Sequence, residues 1–170
     1  MPRYLYLLRH AESQEKQHNE IDKDRDLTAR GLRESLQVGT YLFKENTQFD
    51  AVHSSVAQRA KSTASLIADA MKLKVEKVLE HEALYEASTR TFFQFITQLN
   101  DEHHRVLCVA HNPAISYLAE SLTKSEIGDM PPAGLAIIKF NIQSWKEVSQ
   151  GNGELHNYIY PGMLGGELRD

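Results

Sequence analysis

The sequence predicts an α/β fold: a three-layer α/β/α sandwich with a mostly parallel central sheet and an antiparallel edge hairpin. Three observations predict it. Short, almost uninterrupted apolar runs at residues 3–8, 50–54 and 105–110 read as strands covered on both faces. Between them lie segments with apolar residues at helical spacing, and this alternation argues for parallel strands joined by crossover helices. After Pro131-Pro132, two further strand-like segments, 136–141 and 154–160, flank Gly151-Asn152-Gly153, which suits a hairpin turn.

In chain order, the strand at 3–8 delivers Arg9 and His10 into a charged, poorly periodic loop over 11–26. A helix follows Gly31, with Leu32, Leu36, Gly39 and Phe43 spaced to share one face. After the strand at 50–54, residues 57–71 form a helix whose inward stripe is Ala60, Ala64, Ile67 and Met71. Residues 75–79 suit a short edge strand. Ser88 is placed to cap a helix carrying Phe92, Ile96 and Leu99, with Asn100 ending it. Residues 113–122 form another helix, with Asn112 at the cap and Pro113 at the first helical position, where its missing N–H costs little. The glycine-rich tail over 162–170 reads as mobile. No repeat or linker divides the chain, so residues 1–170 are expected to form a single domain.

Lys and Arg total 19 against 23 Asp and Glu, a net charge of -4, which leaves no nucleic-acid footprint and no polybasic membrane anchor. No segment approaches the roughly 18 apolar residues of a membrane span, and the first apolar run is too short for a signal peptide. A cytoplasmic protein is expected. Cys108 is the one cysteine and lies inside an apolar strand, where inert packing is the better reading. The adjacent pair His103-His104 suits a solvated turn rather than a metal site. His81-Glu82-Ala83-Leu84-Tyr85 lacks the second histidine of a zinc-protease motif.

Three strand-to-helix junctions carry cationic or imidazole side chains: Arg9-His10, Arg59 and His111. In a parallel sheet these junctions share one edge, so the four residues converge on one pocket. Two arginines and two histidines there make an anion site. A phosphoryl group is the natural occupant, because guanidinium forks match its oxygens bidentately and remain charged at physiological pH. The start of the helix after Asn112 adds the positive end of a helix dipole.

At these positions the chain resembles a known family. Leu8-Arg9-His10-Ala11 is similar to the Arg-His-Gly signature of the histidine phosphatase (phosphoglycerate mutase-like) superfamily, with alanine in the glycine position. The blocks Leu27-Thr28-Ala29-Arg30-Gly31, Ser54-Ser55-Val56-Ala57-Gln58-Arg59-Ala60-Lys61-Ser62-Thr63-Ala64 and Val109-Ala110-His111-Asn112-Pro113 follow in the family's order. The short chain, the block Leu84-Tyr85-Glu86-Ala87-Ser88 and the His-Asn-Pro sequence resemble most closely the compact SixA-type phosphohistidine phosphatase branch.

The resemblance implies a nucleophilic His10 that becomes a phosphohistidine, with Arg9, Arg59 and His111 holding the transferring group. It implies no metal and no cofactor. Glu86 matches the position of the family's general acid best; Glu82 and the absence of any protein acid are the alternatives. Ser13, Ser55 and Asn112 are candidates for substrate contact, though Ser55 also suits a helix cap. Thr28 and Gly31 are read as structural, for capping and turning. The substrate is expected to be a phosphorylated protein, specifically a phosphohistidine, or alternatively a small phosphate ester. A noncatalytic phosphoprotein-binding module and a mutase are weaker alternatives. Ala11 is the departure to follow, since its methyl group could crowd the phosphate.

Overall fold

The apolar runs form the middle of one six-stranded sheet. The computed structural model describes residues 1–74 and 78–165. Its strands are β1 (Arg3–Arg9), β2 (Ala51–Ser55), β3 (Val78–His81), β4 (Arg105–Ala110), β5 (Leu135–Phe140) and β6 (Gly153–Ile159), in the order β3-β2-β4-β1-β5-β6. The first four in that order are mutually parallel, β5 is antiparallel to β1, and β6 is antiparallel to β5. The parallel sheet with an antiparallel pair at one edge is the expected architecture. The edge strand β3 is half-exposed and tolerates Glu80, whereas β2 is buried throughout. Of the expected strand at 75–79, Val78 and Leu79 belong to β3; residues 75–77 lie outside the described residues.

Alternate residues of β1 feed two cores, as the period of a strand requires. Tyr6 and Leu8 pack with Val38, Leu42, Ile67 and Val109 beneath α1 (Ala29–Lys44), α2 (Gln58–Ala70) and α5 (Pro161–Gly165). Leu5 and Leu7 pack with Phe92, Ile96, Ile115 and Leu118 beneath α3 (Thr89–Thr97) and α4 (Ala114–Thr123). The three layers are therefore present. Cys108 is fully buried and burial pushes its thiol pKa up, which matches inert packing. Among the described residues no helix is long and apolar enough to cross a membrane.

The inward face of α1 is not the expected one. Leu32, Leu36 and Phe43 are exposed, and only Gly39 of that set is buried; the contact stripe is Gly31, Ser35, Val38, Gly39 and Leu42. Close approach explains the choice. A Cβ on Gly39 would stand 2.6 Å from Cβ of Ala70 on α2, and one on Gly31 would stand 2.1 Å from the carbonyl oxygen of Glu12. Small residues mark this contact, and an apolarity count passes over them. Gly31→Ala should therefore destabilise the protein by about 1–3 kcal/mol and displace the loop that leaves His10. An unchanged denaturant midpoint would show that the Glu12 backbone yields freely.

Other boundaries move by small amounts. The stripe of α2 is as expected, and Ser88 caps α3 by accepting the Thr91 N–H at 3.0 Å. Thr28 caps α1 by accepting the Gly31 N–H at 3.0 Å. The β5–β6 connection is not a tight hairpin. It contains a 3-10 turn at Trp145–Glu147 closed by a Ser144/Glu147 capping box, with Trp145 buried and its Nε1 donating to the His103 carbonyl at 2.8 Å. His103 and His104 are correspondingly half-buried rather than solvated. Gly151 occupies the turn at φ +80, where glycine carries no steric penalty. The first part of the expected mobile tail is instead α5, anchored by Pro161 and Leu164, and residues 166–170 lie outside the described residues.

Candidate active site

The parallel register brings the site together. Arg9 on β1 is level with Ala110 on β4, and Ser54 on β2 is level with Val109. The residues that follow these strands therefore emerge at one edge.

His10 is 8% exposed, and its ring centroid lies 5.1 Å from that of His111. Its Nδ1 is 2.8 Å from the Ala11 carbonyl oxygen, which can only accept. Nδ1 therefore carries the proton and Nε2 carries the lone pair. The Ala11 N–H donates to Thr63 Oγ1 at 3.0 Å, and that hydroxyl donates to the Arg59 carbonyl at 2.7 Å. These bonds tie the exit of β1 to the helix carrying Arg59. Ala11 is itself fully buried and packs in the α1/α2-side core, so its methyl group is taken up by packing.

Arg9 Nη1 donates to the Met130 carbonyl at 2.8 Å, and the same oxygen accepts from Asn112 Nδ2 at 3.0 Å. Asn112 Oδ1 accepts from Ser116, whose Oγ also accepts the Met130 N–H at 2.9 Å. Asn112 is thus a brace for the carbonyl that holds Arg9, not the cap of α4. That position is taken by Pro113, after a cis Asn112-Pro113 bond, and the helix starts at Ala114.

His111 Nε2 lies 2.8 Å from Ser55 Oγ, which also accepts the Ala57 N–H at 3.1 Å. Ser55 is fully buried, so it both orients His111 and begins the α2 turn. Ser13 bridges to Leu27, and its hydroxyl accepts from Arg25 at 3.4 Å. It is not joined to the histidine pair.

Arg59 is 6% exposed, and Nη1 and Nη2 donate to the carbonyl oxygen of Asp22 at 2.9 Å and to its Oδ2 at 3.1 Å. Arg9 Nε, Arg59 Nε and His111 Nδ1 are buried and have no hydrogen-bond partner among the described residues. Leaving buried polar groups unpaired is costly, and an anion in the cleft would satisfy the two guanidinium donors.

Three residues to which the motifs assign no role join the site: Asp22, Arg25 and Tyr85, the last from inside the block at residues 84–88. Asp22 Oδ2 also accepts from the Tyr85 hydroxyl at 2.7 Å, and Oδ1 accepts from Arg25 Nε at 3.0 Å. The Tyr85 ring lies 5.8 Å from that of His111. The sequence signals were of position alone: Asp22 and Arg25 lie in the charged loop that leaves the strand carrying His10, and Tyr85 lies in the block at residues 84–88. Glu86, by contrast, is exposed, with its backbone at φ 56 and its charge acting on Tyr85. Glu82 is exposed and paired with Lys23 at 3.1 Å. The carboxylate whose charge reaches His111 is that of Asp22.

Burial is the largest cause holding the His10 pKa down to about 4, followed by the charges of Arg59, Arg9 and Arg25. The neighbour Arg9 therefore helps to keep His10 neutral, but less than burial or Arg59. Burial also leads in lowering His111 to about 3, with His10 and Arg59 adding and Asp22 opposing. Asp22 is held at about 2, chiefly by the Tyr85 hydroxyl, and Tyr85 is raised to about 12 by that same bond. A third histidine, His53, is lowered to about 4 by burial and by His81 beside it.

These histidines carry a stability prediction. Their folded pKa values lie below the ordinary 6.5, so the unfolded chain binds protons first as pH falls. Stability should be complete above about pH 6.5 and decline between there and about pH 3. A melting temperature that stayed flat from pH 7.5 to 4.5 would refute this.

A parallel sheet that gathers an Arg-His pair, a second arginine and a second histidine at its C-terminal edge defines a phosphoryl-handling site. The sequence comparisons agree: a model of the histidine phosphatase superfamily (branch 1) matches residues 5–92, and the chain belongs to that superfamily. An uncharacterized Mycobacterium tuberculosis protein is 30% identical over 151 residues, covering 82% of this chain and 91% of that protein. Among solved structures, the Agrobacterium tumefaciens protein described as phosphohistidine phosphatase SixA superposes with TM-score 0.81 at 23% identity, covering 95% of this chain and 99% of its own. The protein histidine phosphatase SixA complexed with tungstate superposes with TM-score 0.80 at 21% identity, again covering 95% and 99%. At these identities the structural matches show a shared fold.

Proposed function

We propose that the chain is a metal-independent phosphohydrolase that removes the phosphoryl group from a protein phosphohistidine by way of a phosphohistidine on its own His10. The observation that carries this reading is the bond from His10 Nδ1 to the Ala11 carbonyl, which leaves Nε2 unprotonated in a buried, cation-lined site. Nε2 attacks phosphorus in line, its bond to phosphorus forming as the substrate's P–N bond breaks. Water then attacks the same phosphorus, the P–Nε2 bond breaks, and inorganic phosphate leaves.

Arg9, Arg59 and His111 hold the equatorial oxygens, where charge is redistributed in the transition state. Two fixed guanidinium charges supply the stabilisation that a metal ion gives other phosphoryl-transfer sites. Ser55 orients His111, and Asn112 with Met130 orients Arg9; their part is to hold the contacting groups in place.

The preference for phosphohistidine follows from the leaving side. Asp22 is ionised at neutral pH, Glu82 is paired with Lys23 and Glu86 is exposed, which leaves little for protonating an alkoxide. A phosphoramidate whose ring already carries a proton needs no such acid. The fold shared with SixA structures supports the same choice.

The test is a side-by-side assay, in the presence of chelator, of a phosphohistidine-bearing protein and a panel of phosphate esters. Phosphate should be released from phosphohistidine at a kcat/KM about tenfold or more above that for any ester. Efficient cleavage of one ester with phosphohistidine untouched would establish the small-ester reading instead.

A further inference from the structure

We infer that Asp22 selects substrates by the charge of the leaving group, favouring a protonated nitrogen ring and disfavouring groups that carry a carboxylate or a second phosphate. This rests on the phosphohydrolase reading above and specifies the substrate side of the same site. The position of Asp22 carries the argument. His10 and Arg59 are 8% and 6% exposed, whereas the Asp22 side chain is 43% exposed and covers the Nη1 and Nη2 ends of Arg59. It stands at the mouth of the cleft. In-line displacement sends the leaving group away from His10, toward that mouth.

The remaining valence of the carboxylate fits such a group. A carboxylate offers about four acceptor sites. Arg59 and Tyr85 occupy Oδ2, and Arg25 takes one site on Oδ1, so one site on Oδ1 is left. An N–H of a phosphorylated imidazole fits it. An anion there favours the protonated ring, and protonation weakens the P–N bond. When that bond breaks, its electron pair returns to the ring nitrogen that held phosphorus, while the other nitrogen keeps its proton. Neutral imidazole leaves with no further proton transfer.

The surrounding charges sharpen the selection. Lys23 stands 5.0 Å over the Tyr85 ring and is paired with Glu82, while Arg25 and Arg59 flank Asp22. Without the Asp22 charge the mouth becomes strongly cationic and attracts anionic leaving groups. The carboxylate thus acts both for one class of substrate and against another.

The experiment compares wild type, Asp22→Asn and Asp22→Glu on phosphoimidazole, p-nitrophenyl phosphate and 3-phosphoglycerate. In Asp22→Asn, the kcat/KM ratio of phosphoimidazole to p-nitrophenyl phosphate should fall about tenfold or more, and the ratio of 3-phosphoglycerate to p-nitrophenyl phosphate should rise. Asp22→Glu keeps the charge and should hold both ratios within about threefold of wild type. Equal losses on all three compounds in Asp22→Asn would mean that Asp22 only positions Arg59, and would overturn the inference. So would an Asp22→Glu variant whose ratios shift like those of Asp22→Asn. The same ratios are read as affinities by calorimetry in a His10→Ala background. If wild type turned over none of the three compounds, the phosphohydrolase reading would fail, and these affinities would still decide the role of Asp22.

Discussion

His10→Ala protein, mixed with a radiolabelled phosphohistidine protein and quenched in alkali, should carry no label, whereas wild type quenched within its first turnover should carry acid-labile label on one residue. Turnover should fall to the uncatalysed rate. The substitution removes the imidazole whose lone pair is presented by a fixed tautomer. It should also leave the fold intact, because the His10 side chain bonds only to its own neighbour, Ala11. An alanine variant that still became labelled would place the nucleophile elsewhere, with His111 the next imidazole to test.

Arg59→Ala should lower kcat on the order of a hundredfold or more, by analogy with the loss of similar electrostatic donors. Two effects combine. The phosphoryl group loses a buried donor, and Asp22 loses the guanidinium that holds both its carboxylate and its carbonyl. Arg59→Lys should recover little, since one ammonium cannot reach Asp22 twice and still face the phosphorus. Glu86→Gln, in contrast, should stay within about threefold of wild type on phosphohistidine, because Glu86 is exposed and its charge acts on Tyr85. A Glu86→Gln loss as large as that of Arg59→Ala would restore Glu86 as an acid and count against the nitrogen-ring reading.

Much of the fold was legible because burial on both faces writes itself as unbroken apolarity. The runs that became β1, β2 and β4 needed no further signal, and parallel topology then predicted that Arg9, His10, Arg59 and His111 would emerge at one edge. Where physics depends on closeness rather than apolarity, the reading failed. On α1 the expected face was Leu32, Leu36, Gly39 and Phe43, but only Gly39 of these is buried, and it sets the contact together with Gly31 because a glycine admits a neighbouring backbone or helix there. The bonding of Asp22, Arg25 and Tyr85 was illegible for another reason, although Tyr85 lay inside a recognised block. Their roles arise from hydrogen bonds between an irregular loop and a distant segment, and no periodicity encodes such bonds. Asn112 sat in a recognisable motif, yet its partner Met130 could be found only in three dimensions.

The position of β4 between β2 and β1 also governs when the protein can become active during its synthesis. As the chain leaves a ribosome, β1, β2 and the helices between them emerge first, yet β1 and β2 have no ladder in common. They await a strand ending at Ala110, and the very next residue is His111. The segment that fills the gap in the sheet is therefore the segment that delivers the second histidine of the candidate site. A nascent chain stalled before that point holds His10 and Arg59 without the strand that sets them in register, and the site is complete only once Met130, whose carbonyl holds Arg9, has followed.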